Sequence, residues 1–391
     1  MKACGLVAVV GVAALLGLLR LEHGTEIALP APTGPFPVGR ASYVWMNDEQ
    51  PGDPGPAHEI RNERVVWIWY PAAPAPGSTP SEYLPAPWRA ALRQYEGPLI
   101  GGLLTRDPSR VRVHSARDPV VAPREAAYPV VIMRAGLGAL TTDFTTLAED
   151  LASHGYVVVG FDAPYRTIVV VLPDGRVATR RPEDDPETLP PAERDRLVEK
   201  LLALWCADVK FVLDQLQELN RLDPSGRFEG RLDLERVGVF GHSLGGAVAA
   251  QFCHDDSRCK AGIDIDGALQ GSVVHEGLDR PFMFILSDHA DASDPVSRRI
   301  AGDIQSVYER LPLNARARIT LRDANHFSFS DQALLKSQHV LKLLGSLDAR
   351  RGLAITADYV HRFFDTHLKA SANSLPLGPA PLYLEVEVEP R

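Results

Sequence analysis

Positive charge is in short supply. Lysine and arginine number 41 against 50 aspartates and glutamates, for a formal net charge of -9, and no long run of one sign occurs along the chain. With no basic patch to meet phosphates, nucleic-acid binding is excluded as a function class. No internal repeat is found. The spaced aspartates from Asp288 to Asp294 lack the glycine and glutamate of a calcium loop, so no metal site is implied. Cysteine is sparse too, at four residues. Cys4 would leave with a cleaved leader, and Cys206 lies in an apolar helical pattern that suits a buried small hydrophobe. Cys253 and Cys259 are close enough in sequence to close a disulfide in an oxidising compartment.

What the chain does have is apolar material. At 45% apolar and 23% charged residues it has the composition of a soluble globular protein. Its 391 residues suit one large α/β domain with insertions, or two ordinary domains. Met1 and Lys2 are followed by an apolar run from Ala3 to Leu19 that ends at Arg20. A basic start and an apolar stretch read as a targeting segment over residues 1–24. The run falls between a signal peptide and the roughly 20 residues of a spanning helix. Export is therefore expected, to the periplasm or outside, with the segment either removed or kept as a membrane-associating anchor. Gly5, Gly11 and Gly17, with no polar face, argue against a core helix.

Val65 to Tyr70 reads as a strand stopped by Pro71. Residues 71–128 form a proline-rich excursion with one short helical pattern near Pro87 to Gln94, of the kind that borders binding sites. Beyond it strands and helices alternate. Tyr128 to Met133 and Tyr156 to Phe161 read as buried strands around a helix from Asp143 to His154 that stops at Gly155. A long amphipathic helix begins at Pro191 and runs to Leu219. Further strands are expected at Arg236 to Phe240, Ala261 to Ile265, Phe282 to Leu286 and Ala317 to Leu321, with helices after Ser330 and between Thr356 and Leu368. Alternation of this kind calls for an α/β fold with a mostly parallel sheet and helices on both faces. The catalytic domain is expected over residues 34–370. The tail, 371–391, carries an alternating Leu382 to Val388 stretch that suits an edge strand.

The chemistry centres on Gly241-His242-Ser243-Leu244-Gly245, a G-x-S-x-G motif. A strand ends just before it and a small-residue helix pattern starts just after it, the context that forces a serine onto a sharp exposed turn. Small residues suit that crowded, strained bend, and the helix N-terminus directs positive partial charge at an oxyanion. A serine hydroxyl needs a histidine base and a carboxylate to orient that base. His326 lies in the loop after the last strand, where such sites assemble; His289 is its competitor. His339, His361 and His367 fall in helical patterns as surface or capping residues. For the acid, Asp266 ends the strand after the nucleophile helix, while Asp288 and Asp291 follow the next strand. Chain order leaves these open. Asp264 reads as a solvated or helix-capping carboxylate.

Together these residues resemble the platelet-activating factor acetylhydrolase family of serine-dependent α/β hydrolases, including its bacterial relatives. The resemblance spans residues 34–330. It is carried by Gly34-Pro35-Phe36-Pro37-Val38-Gly39, Tyr128-Pro129-Val130-Val131, Leu151-Ala152-Ser153-His154-Gly155-Tyr156, the Ser243 elbow, the Gly262 to Asp266 strand and the His326 loop. It implies an α/β-hydrolase fold with the triad Ser243, Asp266 and His326, which favours Asp266 over Asp288 and Asp291. It also implies an oxyanion hole from the backbone amides of Leu137 and Leu244. Where the family has His-Gly-Leu-Gly, this chain has Ala135-Gly136-Leu137-Gly138, which changes the pocket wall. The expected activity is cofactor-free hydrolysis of a small-molecule or lipid ester, on short-chain or phospholipid-type acyl groups. General carboxylesterase, lipase or polyester hydrolase activity is the alternative, ahead of a lyase or a non-catalytic binding module. Tyr83, Leu84 and Trp88 are expected either to shape the pocket or to belong to the core.

Overall fold

The structure is a computed structural model that describes residues 2–47, 62–181, 185–288, 294–336, 346–369 and 383–389. The sheet is built from β1 (Val38–Met46), β2 (Glu63–Ala73), β3 (Tyr128–Arg134), β4 (Val157–Asp162), β5 (Leu232–His242), β6 (Cys259–Ile265), β7 (Phe282–Ser287), β8 (Arg316–Leu321) and β9 (Val386–Val388). Their spatial order is β9-β8-β7-β6-β5-β3-β4-β2-β1. The six strands from β8 across to β4 run parallel. On one side β2 and β1 pair antiparallel, and on the other β9 does.

Helices α1 (Lys2–Gly24), α2 (Ala86–Leu99), α3 (Thr145–Ser153), α4 (Pro191–Arg221), α5 (Leu244–Asp255), α6 (Pro295–Arg310) and α7 (Ala349–Leu368) complete the framework. Side chains of α2, α3 and α7, among them Trp88, Leu147, Leu151 and Phe364, form the core on one face of the sheet. Side chains of α4, α5 and α6, such as Val212, Leu216, Val248 and Val307, form the core on the other. Continuous apolar strands such as β3 and β4, buried at every position, are the consequence of having both faces covered.

Three local outcomes differ from the expectations above. β2 continues through Pro71 to Ala73, because its pairing with β4 ends at Trp69 and the residues beyond find other partners. There the Ala72 N–H donates to the Pro37 carbonyl (2.8 Å) and the Pro71 carbonyl accepts from Ala122 (2.9 Å). β1 was not foreseen, since only its first half is buried. α6 was not foreseen either, although Ile300, Ile304, Val307 and Tyr308 pack against the core at helical spacing.

The C-terminal end of α1 is tied to the excursion. The Arg106 guanidinium donates to the Glu22 carbonyl (3.0 Å) and carboxylate (3.1 Å), and the His23 ring to the Thr105 carbonyl (2.6 Å). Val12, Leu15, Leu16, Leu18 and Leu21 point outward. Among the described residues no helix is long and apolar enough to cross a membrane. Cys253 on α5 is bonded to Cys259 at the start of β6. Cys206 is free, and burial pushes its thiol up to about 12, which makes it inert at neutral pH.

Candidate active site

Ser243 is the single residue between β5 and α5, held at φ 58° and ψ -127°. A non-glycine residue there stores strain of about 1–3 kcal/mol and persists only if its surroundings hold it. They do: the Ser243 N–H donates to the Ile265 carbonyl and the Ser243 carbonyl accepts from Gly246, each at 2.9 Å. The flanking glycines are required by close approach. A β-carbon on Gly241 would lie 2.0 Å from the Gly245 carbonyl oxygen, and one on Gly245 would lie 2.2 Å from that of Arg134. Any larger residue would push the bend apart.

The other site residues arrive from the ends of neighbouring parallel strands. Asp266 follows β6 at φ 54°, and its Oδ2 accepts from His326 Nδ1 at 2.7 Å. Its Oδ1 accepts from the Ser287 N–H (2.8 Å) and the Ser287 hydroxyl (2.7 Å). Ser287 ends β7, so one strand end aims the carboxylate that another presents. His326 opens a short turn after β8, capped by the Asn325 side chain. An Nδ1–H donated to Asp266 leaves Nε2 of His326 as the proton acceptor. His242 Nε2–H in turn donates to the His326 carbonyl at 2.7 Å, pinning the loop to the elbow. Burial, and the adjacent His326, lower the His242 pKa to about 4, so this ring stays neutral and acts as a fixed prop.

Two cavities open at the bend, and both are lined by Ser243 and His326. The first, of about 220 Å³, has walls from Tyr83 and Leu84 of the excursion, the Gly136 to Leu140 loop, Phe144 and Ile168. The second, of about 390 Å³, runs past Asp266, Leu286, Ile300 and Thr320. Among the described residues no hydrogen bond joins the Ser243 hydroxyl to His326 directly; a contact between nucleophile and base of this kind tightens in the Michaelis and transition-state complexes. The Gly136 backbone lies against the serine, since a β-carbon there would sit 3.1 Å from Ser243 Cβ. Neither the Leu137 nor the Leu244 N–H is engaged by another backbone acceptor among the described residues. Leu244 opens α5, so its amide belongs to the unpaired first turn of a helix.

Other expected residues fall elsewhere. Asp288 borders the second cavity but its carboxylate accepts from the Asp323 N–H (3.3 Å), while His326 is held by Asp266. Asp291, His289 and His339 lie outside the described residues. Asp264 is fully buried, which corrects the solvated reading. Burial and the neighbouring Asp266 raise its pKa well above the usual carboxylate range. Trp88 packs edge-on against Trp67 in the core, whereas Tyr83 and Leu84 reach the first cavity. His361 is buried as well, with Nδ1 bonded to Asp150 (2.9 Å), because α7 packs across α3. Sequence reasoning missed Ser287, whose place at a strand end beside the Asp266 strand was the available signal, and the role of His242 as a prop.

The strand order, the serine bend and the strand-end carboxylate and histidine define the class as an α/β-hydrolase fold. The model of the family described as "Platelet-activating factor acetylhydrolase, isoform II" matches residues 24–165 and 212–374, and the chain belongs to that family. A probable 1-alkyl-2-acetylglycerophosphocholine esterase of Arthroderma benhamiae is 25% identical over 66% of this chain and 65% of its own length. The platelet-activating factor acetylhydrolase of Cavia porcellus is 26% identical over 57% and 53%. The chain thus spans less than two thirds of the length of these curated relatives. Among solved structures, a ferulic acid esterase from Streptomyces cinnamoneus is similar at a TM-score of 0.71 and 26% identity, over 93% of this chain and 99% of that one.

Proposed function

We propose that the protein is a serine carboxylic-ester hydrolase that works through an acyl-enzyme. The observation that carries this reading is the strained Ser243 bend facing the same cavities as a histidine whose Nδ1 is held by Asp266. In this mechanism His326 Nε2 takes the Ser243 proton as the hydroxyl oxygen attacks the ester carbonyl. The Leu137 and Leu244 amides hold the oxyanion, a contribution of about 3 kcal/mol per donor. Protonated His326 then gives its proton to the leaving alcohol, and water, activated by the same ring, releases the acid. Asp266 stabilises the imidazolium, and Ser287 fixes Asp266.

The first cavity, small and walled by Tyr83, Leu84, Leu140 and Phe144, suits a short acyl chain, as on the acetyl esters named for the relatives. A broader carboxylesterase reading has its own support. Residues 166–211 fall between the two segments matched by the family model, yet Ile168 and Arg180 from this stretch line that cavity. Hydrolysis of p-nitrophenyl acetate, butyrate and octanoate tests both readings. A steep preference for acetate supports an acetylhydrolase, a flat profile supports a general esterase, and no turnover by folded protein counts against both. Lipid breakdown is then tested with short-chain phospholipids, and polyester film tests the remaining alternative.

Export fits the apolar N-terminal run and the bonded Cys253 and Cys259, since such bonds persist in oxidising compartments. The outward apolar side of α1 (Val12, Leu15, Leu16) fits retention at a membrane surface. The mass of the mature chain recovered from cell fractions decides between removal and retention.

A further inference from the structure

Away from the serine, α3 and α7 bring three ligand-type side chains together. Asp150 and His154 stand four residues apart on the last turn of α3 and its cap, and His361 comes from α7. One donor atom from each lies within 4.8 Å of the others. His361 Nδ1 is 2.9 Å and His154 Nδ1 is 3.5 Å from Asp150 Oδ2. The edges of a zinc tetrahedron with bonds near 2.0–2.1 Å are roughly 3.3 Å, so these separations straddle what one ion requires. The two imidazoles stack at 3.8 Å with their planes 17° apart.

The surroundings supply what metal-binding histidines need. A ligating imidazole donates its second N–H to an outer acceptor that fixes its tautomer. His154 Nε2 is 3.5 Å from Thr33 Oγ1, and His361 Nε2 is 3.5 Å from Asp358 Oδ1. Thr33 also donates its N–H (2.9 Å) and hydroxyl (2.8 Å) to Asp150 Oδ1, leaving Oδ2 for the centre. A separate cavity of about 360 Å³ opens on the cluster and leaves room for a fourth, water ligand; Arg362 and Tyr383 stand in its wall. The cations beside the cluster are paired: Arg362 bonds to Asp358, as does Tyr383, and Lys369, which donates to the His154 carbonyl, pairs with Asp365 (3.1 Å). The cluster is not a second triad. The Thr33 hydroxyl donates to the Asp150 carboxylate and not to a histidine (2.8 Å), and the Ser153 hydroxyl donates to the Asp150 carbonyl (2.7 Å) and accepts from Gly34 (2.9 Å).

We infer that Asp150, His154 and His361 form a binding site for a divalent transition metal, with zinc as the ion that an N₂O donor set with an open fourth position favours. In the free site His361 Nδ1–H donates to the Asp150 carboxylate and His154 Nδ1–H to the Asp150 carbonyl, each at 2.9 Å. On binding, the single N–H of each neutral ring moves to Nε2, facing Asp358 and Thr33, and frees Nδ1 for the metal with no net loss of protons. The ion clamps α3 to α7, on whose packing the His326 turn rests. This site departs from the expectation of no metal, which considered only the aspartates after β7. Ligands at positions 150, 154 and 361 are joined by the fold and show no motif.

The test uses the full chain, stripped with EDTA and titrated with ZnCl₂ by calorimetry, with CoCl₂ read by its visible absorption. One zinc per chain, an intense tetrahedral cobalt band and a raised melting temperature are expected, with magnesium and calcium giving none of these. His154→Gln and His361→Gln should each weaken zinc about tenfold or more while ester hydrolysis continues. Should either variant fail to fold, competition between zinc and cobalt in the wild type and the other variant reports the site. No saturable zinc binding, or equal binding in the folded variants, overturns the proposal. Loss of hydrolysis in Ser243→Ala with zinc binding intact separates this site from the esterase reading.

Discussion

Replacing Asp266 by Asn should disable the protein through the tautomer of His326 as well as through lost charge. In the native site Oδ1 takes two hydrogen bonds from Ser287 and Oδ2 takes one from His326. An asparagine has one acceptor and one donor end. Facing the oxygen to Ser287 keeps two bonds, whereas facing it to His326 keeps one, and the difference is about 1 kcal/mol in favour of the first. The amide NH₂ then meets His326 Nδ1, which must become an acceptor, so the proton moves to Nε2 and the base can no longer accept from Ser243. With the loss of imidazolium stabilisation, kcat/KM for p-nitrophenyl acetate should fall by three to four orders of magnitude, about 4–5.5 kcal/mol. Circular dichroism melts would confirm folding. The double variant Asp266→Asn with Ser287→Ala removes one of the two competing donors, and it should recover activity several-fold over Asp266→Asn. Asp288→Asn should stay within a few-fold of wild type. Activity within tenfold of wild type in Asp266→Asn, or a collapse in Asp288→Asn instead, would refute this reasoning.

Three further outcomes are expected. Gly241→Ala places a methyl group 2.0 Å from the Gly245 oxygen and should cost about 3 kcal/mol or more; an unchanged denaturant midpoint with full activity would contradict the crowding argument. His242 has a folded pKa of about 4 against a reference of 6.5, so the unfolded chain binds the extra proton in between. Stability from this group is therefore complete above pH 6.5 and lost as pH falls towards 4, by on the order of 3 kcal/mol. Urea unfolding at pH 7 and pH 4.5 should show a larger loss in wild type than in His242→Gln, and equal losses would count against a buried neutral ring. Removing the Cys253–Cys259 bond by double substitution to Ala reopens a short loop and should lower stability by about 2 kcal/mol with hydrolysis retained, as measured by melting with and without reductant.

Much of the fold could be read from the chain because its central strands are buried on both faces and carry unbroken apolar runs, as in β3 and β4. Where a strand is half exposed, as in β1, the run breaks up and the signal fades. The helix α6 shows the same dilution, with its apolar stripe hidden among arginines, serines, Asp303 and Glu309. At the site, the elbow carries a local signature because its crowding permits little except glycine. His326 and Asp266 could be placed by chain order and strand ends, but the partner of Asp266, Ser287, is set by the register of β6 against β7 and leaves no local mark. His361 and Asp264 were misjudged for the same reason, since helix crossing and the close approach of the elbow bury polar groups that look solvated in sequence.

The account rests on Ser243 being a hydroxyl activated by its surroundings. Incubation of the folded protein with a fluorophosphonate, followed by peptide mass mapping, tests this most directly. One adduct per chain on Ser243, abolished by heat denaturation and strongly slowed in His326→Ala, is the predicted result. Folded protein that stays unlabelled, or that is labelled on another serine, would contradict it.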